Sequence, residues 1–413
     1  MPKQGVYDIA IIGGGAAGLT AAWFAAREGR QVAVLERMPQ PGQKLALSGG
    51  GRCNVLPQAV DAAQYVSDSS HFIVRNLLRS WPLDDVRSFL TDSIGIDIRE
   101  DSGTGKRTVR GGGEALRKQL LSSIRAKKGI VRTDTEITKI RRSKPFELTL
   151  AKGGRTIAQR VIVACGGFSY PETGSDGSGW ELARARGHEI IPAYPALTSL
   201  VGARSSHRNL AGLTIEATVT ARSPEDEAST TGGFLFTHRG YSGPAVLNTS
   251  HIVARARQHR LEAEVFVSWT PHDADAWRVL LSGGKRTIRG VLTREMPDRL
   301  ADLILNESNL QDVRVATLTR DAREMLIRAL TQYRLSITRN DGFHSAEVTG
   351  GGVPLSELTA KTLESKHVPG LYFCGEMLDV FGPVGGYNFL WAFVTGRRAG
   401  EAASRSLLEQ REG

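Results

Sequence analysis

An α/β architecture, a parallel nucleotide-binding sheet broken by an insertion, is what the sequence predicts, and three observations predict it. Residues 7–12 (YDIAII) form a short apolar run that stops at GGGAAG and passes into an alanine-rich helical pattern reaching Gly29. A second β-branched run, 31–36 (QVAVLE), ends in an acid. Strand, glycine turn, helix and strand within about 30 residues make the opening βαβ unit of a Rossmann-like fold. Far away in the chain, 161–164 (VIVA) and 371–374 (LYFC) are two more short apolar runs that give way to glycine, as central strands ending at a site do.

Between those runs, from about Pro192 to Asn340, the pattern changes. Residues 213–221 and 261–269 alternate like antiparallel strands, whereas 290–332 carries helical spacing, as in Met296, Leu300, Leu303 and Ile304. The expected division is therefore a nucleotide-binding domain in two parts, 1–192 and 341–413. They flank an inserted β-rich domain, 193–285, and a helical subdomain, 286–340. SPEDEAST at 223–230 reads as an exposed loop, and no internal repeat is visible.

A chain of 413 residues predicts two or three domains, and 40% hydrophobic with 23% charged residues excludes wholesale disorder. Cys53, Cys165 and Cys374 are too few and too scattered for a disulfide framework or a zinc cage, which favours a reducing compartment. No apolar run approaches the ~18 residues of a membrane span, and no charged-then-apolar leader precedes the first strand, so a cytoplasmic location is expected. The net charge of +10 is concentrated: residues 99–160 hold 17 Lys and Arg against 6 Asp and Glu. Such a block suits a polyanion such as RNA or a phosphate-rich ligand. Arginines outnumber lysines throughout, so base composition of the gene and ordinary solvated faces are the competing explanation.

Gly13, Gly15 and Gly18 form a GxGxxG turn. Its first glycine permits the tight turn, its second lets backbone approach a pyrophosphate, and its third lets helix pack on strand. Glu36, eighteen residues past Gly18, is placed to bond a ribose hydroxyl, and an acid there disfavours the 2′-phosphate of NADP. Residues 41–54 (PGQKLALSGGGRCN) then carry Lys44, Ser48 and Arg52 in a glycine-rich turn, more than an adenosine half needs. Residues 374–393 (CGEMLDVFGPVGGYNFLWAF) add an acid, a glycine pair and a helix start near Gly386. That helix N-terminus would face the electron-rich N1 and C2 carbonyl of a reduced flavin. FAD is long enough to run from Gly13 to Gly386, and no second GxGxxG is present for a tightly held NAD. FAD is the expected cofactor, with NAD(P)H binding transiently as one source of electrons.

Five blocks, 41–54, 164–174 (ACGGFSYPETG), 234–247 (FLFTHRGYSGPAVL), 346–353 (AEVTGGGV) and 373–396, together resemble the YhiN/BaiN-type flavoproteins, also called the aminoacetone-oxidase-like family. The resemblance runs from Tyr7 to Gly396. It implies a glutathione-reductase-like FAD domain with the inserted β-rich and helical parts described above. It also implies FAD contacts at Gly13, Gly15, Gly18, Glu36, Arg37, Lys44, Ser48, Gly50, Gly51, Arg52, Cys53, Asn54, Gly166, Gly375, Glu376, Gly386, Tyr387 and Asn388. Two departures are visible: Cys165 stands where the family has Thr, and 103–113 (GTGKRTVRGGG) is more charged than the family pattern, which leaves substrate preference open.

For chemistry, Cys53 is the best-placed protic residue. Beside Arg52 its thiol pKa would fall, and it could deliver a proton while the flavin delivers hydride to an activated C=C bond. The alternative is a small residue packing on the flavin. His238, in FTHRGYSGP between a strand and a helix start, is a candidate for substrate binding or for capping. Cys165 and Cys374 read as core residues inside strands, and Asp379 and Glu376 as partners of the ribityl chain. No His, Cys or acid cluster has metal-ligand spacing, so no metal is expected. Three functions are compatible with these residues and the resemblance. One is a flavin-dependent reductase making dihydrouridine in ribosomal RNA, bound through the basic 99–160 segment. The second is a small-molecule flavoenzyme, either an amine oxidase or a reductase of an unsaturated ring. The third is a non-catalytic FAD-bound RNA-binding protein. Oligomeric state is not legible.

Overall fold

The computed structural model describes residues 5–27, 29–48, 53–100, 106–141, 143–202 and 204–412. They form two compact units, one of residues 1–193 with 348–413 and the other of residues 194–347.

In the first unit, β1 (Val6–Ile12), α1 (Ala16–Arg27) and β2 (Val32–Leu35) are the predicted βαβ unit. β1 pairs in parallel with β2 on one side and with strand Arg155–Val163 on the other. β2 continues to Ile130–Arg132, and Arg155–Val163 continues to Leu371–Phe373, again in parallel. The central order is therefore third, second, first, fourth, fifth in chain sequence, the doubly wound arrangement. All four residues of β2 and the last four of β1 are buried, as expected of strands covered on both faces.

α1 is buried from Ala17 to Ala26 because a second helix, Tyr387–Glu412, covers it. Their crossing is close at two glycines: a Cβ on Gly396 would strike the Ala17 carbonyl, and one on Gly400 the Ala21 carbonyl. Backbone therefore lies against backbone here.

The second unit is built on seven antiparallel strands among the described residues. Strand Thr214–Arg222 pairs with Glu227–Phe236 on one side and Glu264–Ser268 on the other. Helices Ile288–Glu295, Asp298–Glu307 and Arg320–Thr331 bury Leu292, Leu300, Ile304, Leu326 and Leu330 in the same core as Val219, Phe234 and Val267 of the sheet.

Several expectations need correction. The stretch 223–230 is a loop only as far as Asp226, since Glu227 onward is strand. Its polar face misled, because Thr218–Thr231 and Thr220–Ser229 hydroxyl pairs ladder across the exposed side. The basic segment hides a helix, Gly112–Ala126, and a meander of strands Ile137–Arg141, Phe146–Leu150 and Arg155–Val163. Cys165 and Cys374 lie just beyond strand ends rather than inside them. No helix among the described residues is long and apolar enough to cross a membrane.

Candidate functional site

β1 and Arg155–Val163 end side by side, Ile12 opposite Val163, at the point where the strand order reverses. Ligands of such sheets bind beyond the carboxyl ends of these two strands. Gly13 turns the chain there with φ +102°, and a Cβ on it would lie 2.5 Å from the Ala164 carbonyl oxygen. A Cβ on Gly18 would strike the Gly13 carbonyl, whereas one on Gly15 would meet nothing within 4 Å. The turn is thus packed at its ends and bare at its middle. The first amides of α1 face this opening as an anion site.

Glu36, one residue past β2, is buried, with Oε2 accepting from the Gly14 amide at 2.6 Å and Oε1 from the Met38 amide at 2.8 Å. Burial pushes its carboxyl above the ordinary value, against the pull of those two amides. The acid expected to meet a ribose is therefore first a brace for the glycine turn. Arg37 donates to Asp176 Oδ2 at 2.7 Å. Against partial burial, the Arg37 and Ser178 bonds hold the Asp176 carboxyl below its usual range. Asp176 was not singled out in the sequence.

Lys44, on α2 (Gln43–Leu47), grips both carboxylate oxygens of Glu376 at 2.7 and 2.9 Å. Glu376 Oε1 also accepts the Thr349 amide at 3.0 Å, while Thr349 Oγ1 accepts the amides of Phe168 and Ser169 at 2.8 and 3.0 Å. Four distant blocks of the sequence meet in this cluster. Thr349 is the hub, and only its place inside AEVTGGGV could have signalled it.

Ser48 closes α2, its hydroxyl donating to the Leu45 carbonyl at 2.8 Å and its own carbonyl accepting the Cys53 amide at 3.1 Å. Gly50, Gly51 and Arg52 lie outside the described residues. Cys53 is fully buried with φ +53°. Burial pushes its thiol up, with Ser48 opposing weakly, so the expected lowering is reversed. Enclosure keeps the sulfur neutral and away from solvent. Asn54 follows, and among the described residues nothing hydrogen-bonds its buried Oδ1.

That orphaned amide sits beside a second glycine turn, its Nδ2 4.0 Å from where a Cβ on Gly385 would be. Gly386 has φ +94°, and a Cβ there would lie 2.5 Å from the Leu56 carbonyl carbon, so only glycine fits. Helix Tyr387–Glu412 starts at the next residue, as expected. Asn388 locks the approach: its Oδ1 accepts the Gly382 amide at 2.8 Å and its Nδ2 donates to the Gly382 carbonyl at 2.9 Å. Tyr387 is half-buried, its carbonyl accepting the Tyr65 hydroxyl at 3.0 Å. Gly375 is fixed by its amide on Thr395 Oγ1 at 3.0 Å, and Gly166 turns beside Ser175 with φ +75°.

Two further candidates are Asp379 and His238. Asp379 is buried, and its Oδ2 accepts the Asp68 amide at 2.9 Å and the Ser67 hydroxyl at 3.2 Å, so it anchors that segment. Burial and neighbouring Asp68 push its carboxyl up to about 6. His238 is exposed on the tight turn between Glu227–Phe236 and Gly240–Ser242 of the second unit, six residues before helix Pro244–Gln258.

The first glycine turn accommodates an adenine dinucleotide. The second turn, with a polar orphan and a helix N-terminus together, is what a flavin ring adds, and the protein is an FAD-dependent oxidoreductase. It belongs to the HI0933-like family, whose profile, described as the HI0933-like protein Rossmann domain, matches residues 7–402. The chain is 35% identical to the 3-dehydro-bile acid delta(4,6)-reductase of Clostridium scindens over 408 residues, 96% of this chain and 98% of that one. It is 30% identical to the ribosomal RNA dihydrouridine synthase of Escherichia coli over 399 residues, 94% and 95% of the two chains. The fold is shared with 3-ketosteroid-delta4-(5alpha)-dehydrogenase from Rhodococcus jostii RHA1, at TM-score 0.52 and 15% identity, covering 98% of each chain.

Proposed function

We propose that this protein reduces a ring C=C bond conjugated to a carbonyl, with a uridine of ribosomal RNA as the first substrate to test. The names of the two relatives support the shared chemistry. A Δ4 bond beside a 3-oxo group and the C5=C6 bond of uracil are both polarised by a conjugated carbonyl, so both accept hydride at the β carbon. When bound, FAD would supply that hydride, a proton from solvent would complete the α carbon, and NAD(P)H or another donor would return two electrons to the flavin.

The observation that carries the reading is the start of helix Tyr387–Glu412 next to the unpartnered Asn54 Oδ1. A helix N-terminus there favours negative charge on a reduced ring. Gly13 to Gly18 and α1 would hold the pyrophosphate, Glu36 the ribose, and Lys44 with Glu376 and Thr349 the middle of the cofactor.

RNA is supported by exposed Arg125, Lys128, Lys139, Lys144 and Lys152, for which no described acid is an ion-pair partner. The small-molecule reading is supported by the rest of the block. Arg99 and Arg110 lie on Asp97, Arg117 and Lys118 on Glu114, and Arg141 and Arg155 on Glu147, which leaves less charge for phosphates. The deciding experiment digests ribosomal RNA from a strain lacking the gene and quantifies dihydrouridine by mass spectrometry. Loss of the nucleoside, restored by the wild-type gene, supports the RNA substrate. Unchanged dihydrouridine, with turnover of a cyclic enone by the reduced protein, moves the substrate to small molecules.

A further inference from the structure

The sequence shows no metal-ligand spacing, yet the fold of the first unit assembles a ligand set from separated parts. His188 follows helix Ser178–Arg184, Glu357 ends the short turn Leu355–Glu357, and His367 follows strand Glu364–Ser365. One ligand atom from each lies within 4.8 Å of the others. Glu357 Oε2 is the meeting point, 3.0 Å from His188 Nδ1 and 2.7 Å from His367 Nε2.

The His188 side chain is fully buried, and its Nδ1 has no hydrogen-bond partner among the described residues despite the nearby carboxylate. The same oxygen already takes His367 Nε2 at 2.7 Å and the Glu189 amide at 3.4 Å, so His188 Nδ1 stands beside it without a hydrogen bond of its own, as a ligand atom sharing a cation with that carboxylate would. The other ring nitrogen, Nε2, is 2.8 Å from Ser365 Oγ, the outer partner that fixes the ring of a metal-bound histidine. Ser365 is itself held by the amides of His367 and Val368 at 3.1 and 2.9 Å. Tetrahedral ligands at zinc distances stand about 3.3 Å apart. His188 and Glu357 are near that spacing, and the exposed His367 ring needs to move outward by roughly half an ångström.

We propose that His188, Glu357 and His367 bind one divalent ion of the zinc class, with water completing the coordination. Two imidazoles and one carboxylate are a borderline donor set that suits Zn²⁺ or Co²⁺ and not Mg²⁺ or Ca²⁺. The ion would tie the segment after helix Ser178–Arg184 to the hairpin at the edge of the large sheet, and it has no part in the flavin chemistry.

The test titrates chelator-treated, flavin-loaded protein with Co²⁺, followed by visible absorption, and with Zn²⁺ by calorimetry. One ion per chain and intense tetrahedral Co²⁺ bands are expected. His367→Ala, at an exposed position, should weaken Zn²⁺ binding more than about 100-fold, and Ser365→Ala about 10- to 100-fold, both with normal flavin content. Zn²⁺ should raise the thermal midpoint of the wild type but not of His367→Ala. Absence of stoichiometric binding, or equal affinity in wild type and His367→Ala, would overturn the site and leave Glu357 hydrogen-bonded to His367 with no ion.

Discussion

Lys44 and Glu376 stand 332 residues apart in the chain and are joined by two bonds of 2.7 and 2.9 Å. The pair ties α2 to the turn after the fifth parallel strand. Lys44→Met leaves Glu376 with the Thr349 amide as its one hydrogen bond among the described residues and removes a cation from beside it. FAD affinity, measured by titrating the apoprotein and following flavin fluorescence, should fall about tenfold, the cost of one charged hydrogen bond. Unchanged affinity would remove Lys44 from the cofactor site.

Cys53 tests whether the thiol does chemistry. A residue acting as general acid contributes about 10²- to 10⁴-fold, so its loss is conspicuous. Because burial raises the thiol and makes it a poorer acid, Cys53→Ala should keep turnover within about threefold of wild type while lowering the thermal midpoint. A fall beyond 100-fold, with flavin content intact, would return Cys53 to the role of proton donor.

What the sequence reveals here is what is local. The β1–α1–β2 unit is legible because strand run, glycine spacing and helix follow one another, and the start of the last helix because two glycines precede it. Strand Arg155–Val163 is legible only in its last residues. Its first half alternates as part of a meander, and arginines at 155 and 160 disguise it. Glu36 shows the limit of residue-type reasoning. Its distance from Gly18 predicts a ribose partner, but only the fold reveals that both oxygens already take backbone amides. Asp176, Thr349 and His188 are invisible beforehand because their partners lie far off in the chain, with no repeating interval to announce them.

The pH dependence of Asp379 has a definite sign. Its carboxyl is raised from 3.8 to about 6 in the folded protein, so the contribution to stability is full below the unfolded value and is lost as pH rises through about 6. Linkage gives about 1.4 kcal/mol gained by the wild type between pH 7.5 and pH 5. Asp379→Asn can still accept from Asp68 and should lack this increment. Unfolding of both proteins at the two pH values measures the difference, and equal pH dependence would refute it.

The crossing of α1 and the last helix leaves no room for a side chain at two positions. Gly396→Ala or Gly400→Ala inserts a methyl against a carbonyl oxygen and forces the helices apart, at about 1–3 kcal/mol each. Thermal unfolding should show the loss for each variant. The double variant should cost less than the sum, because the first displacement already makes room for the second.

The first unit is written in two instalments, 1–193 and 348–413, separated by a contiguous second unit. On the ribosome, α1 emerges well before the helix that covers it, which is made only after the whole second unit. The second unit has its whole sheet and helices in hand before then. The nascent chain therefore finishes its middle first. Until Gly396 and Gly400 arrive, the amino-terminal part waits with an uncovered apolar helix and half a cofactor cradle, in the window when a chaperone would be most needed.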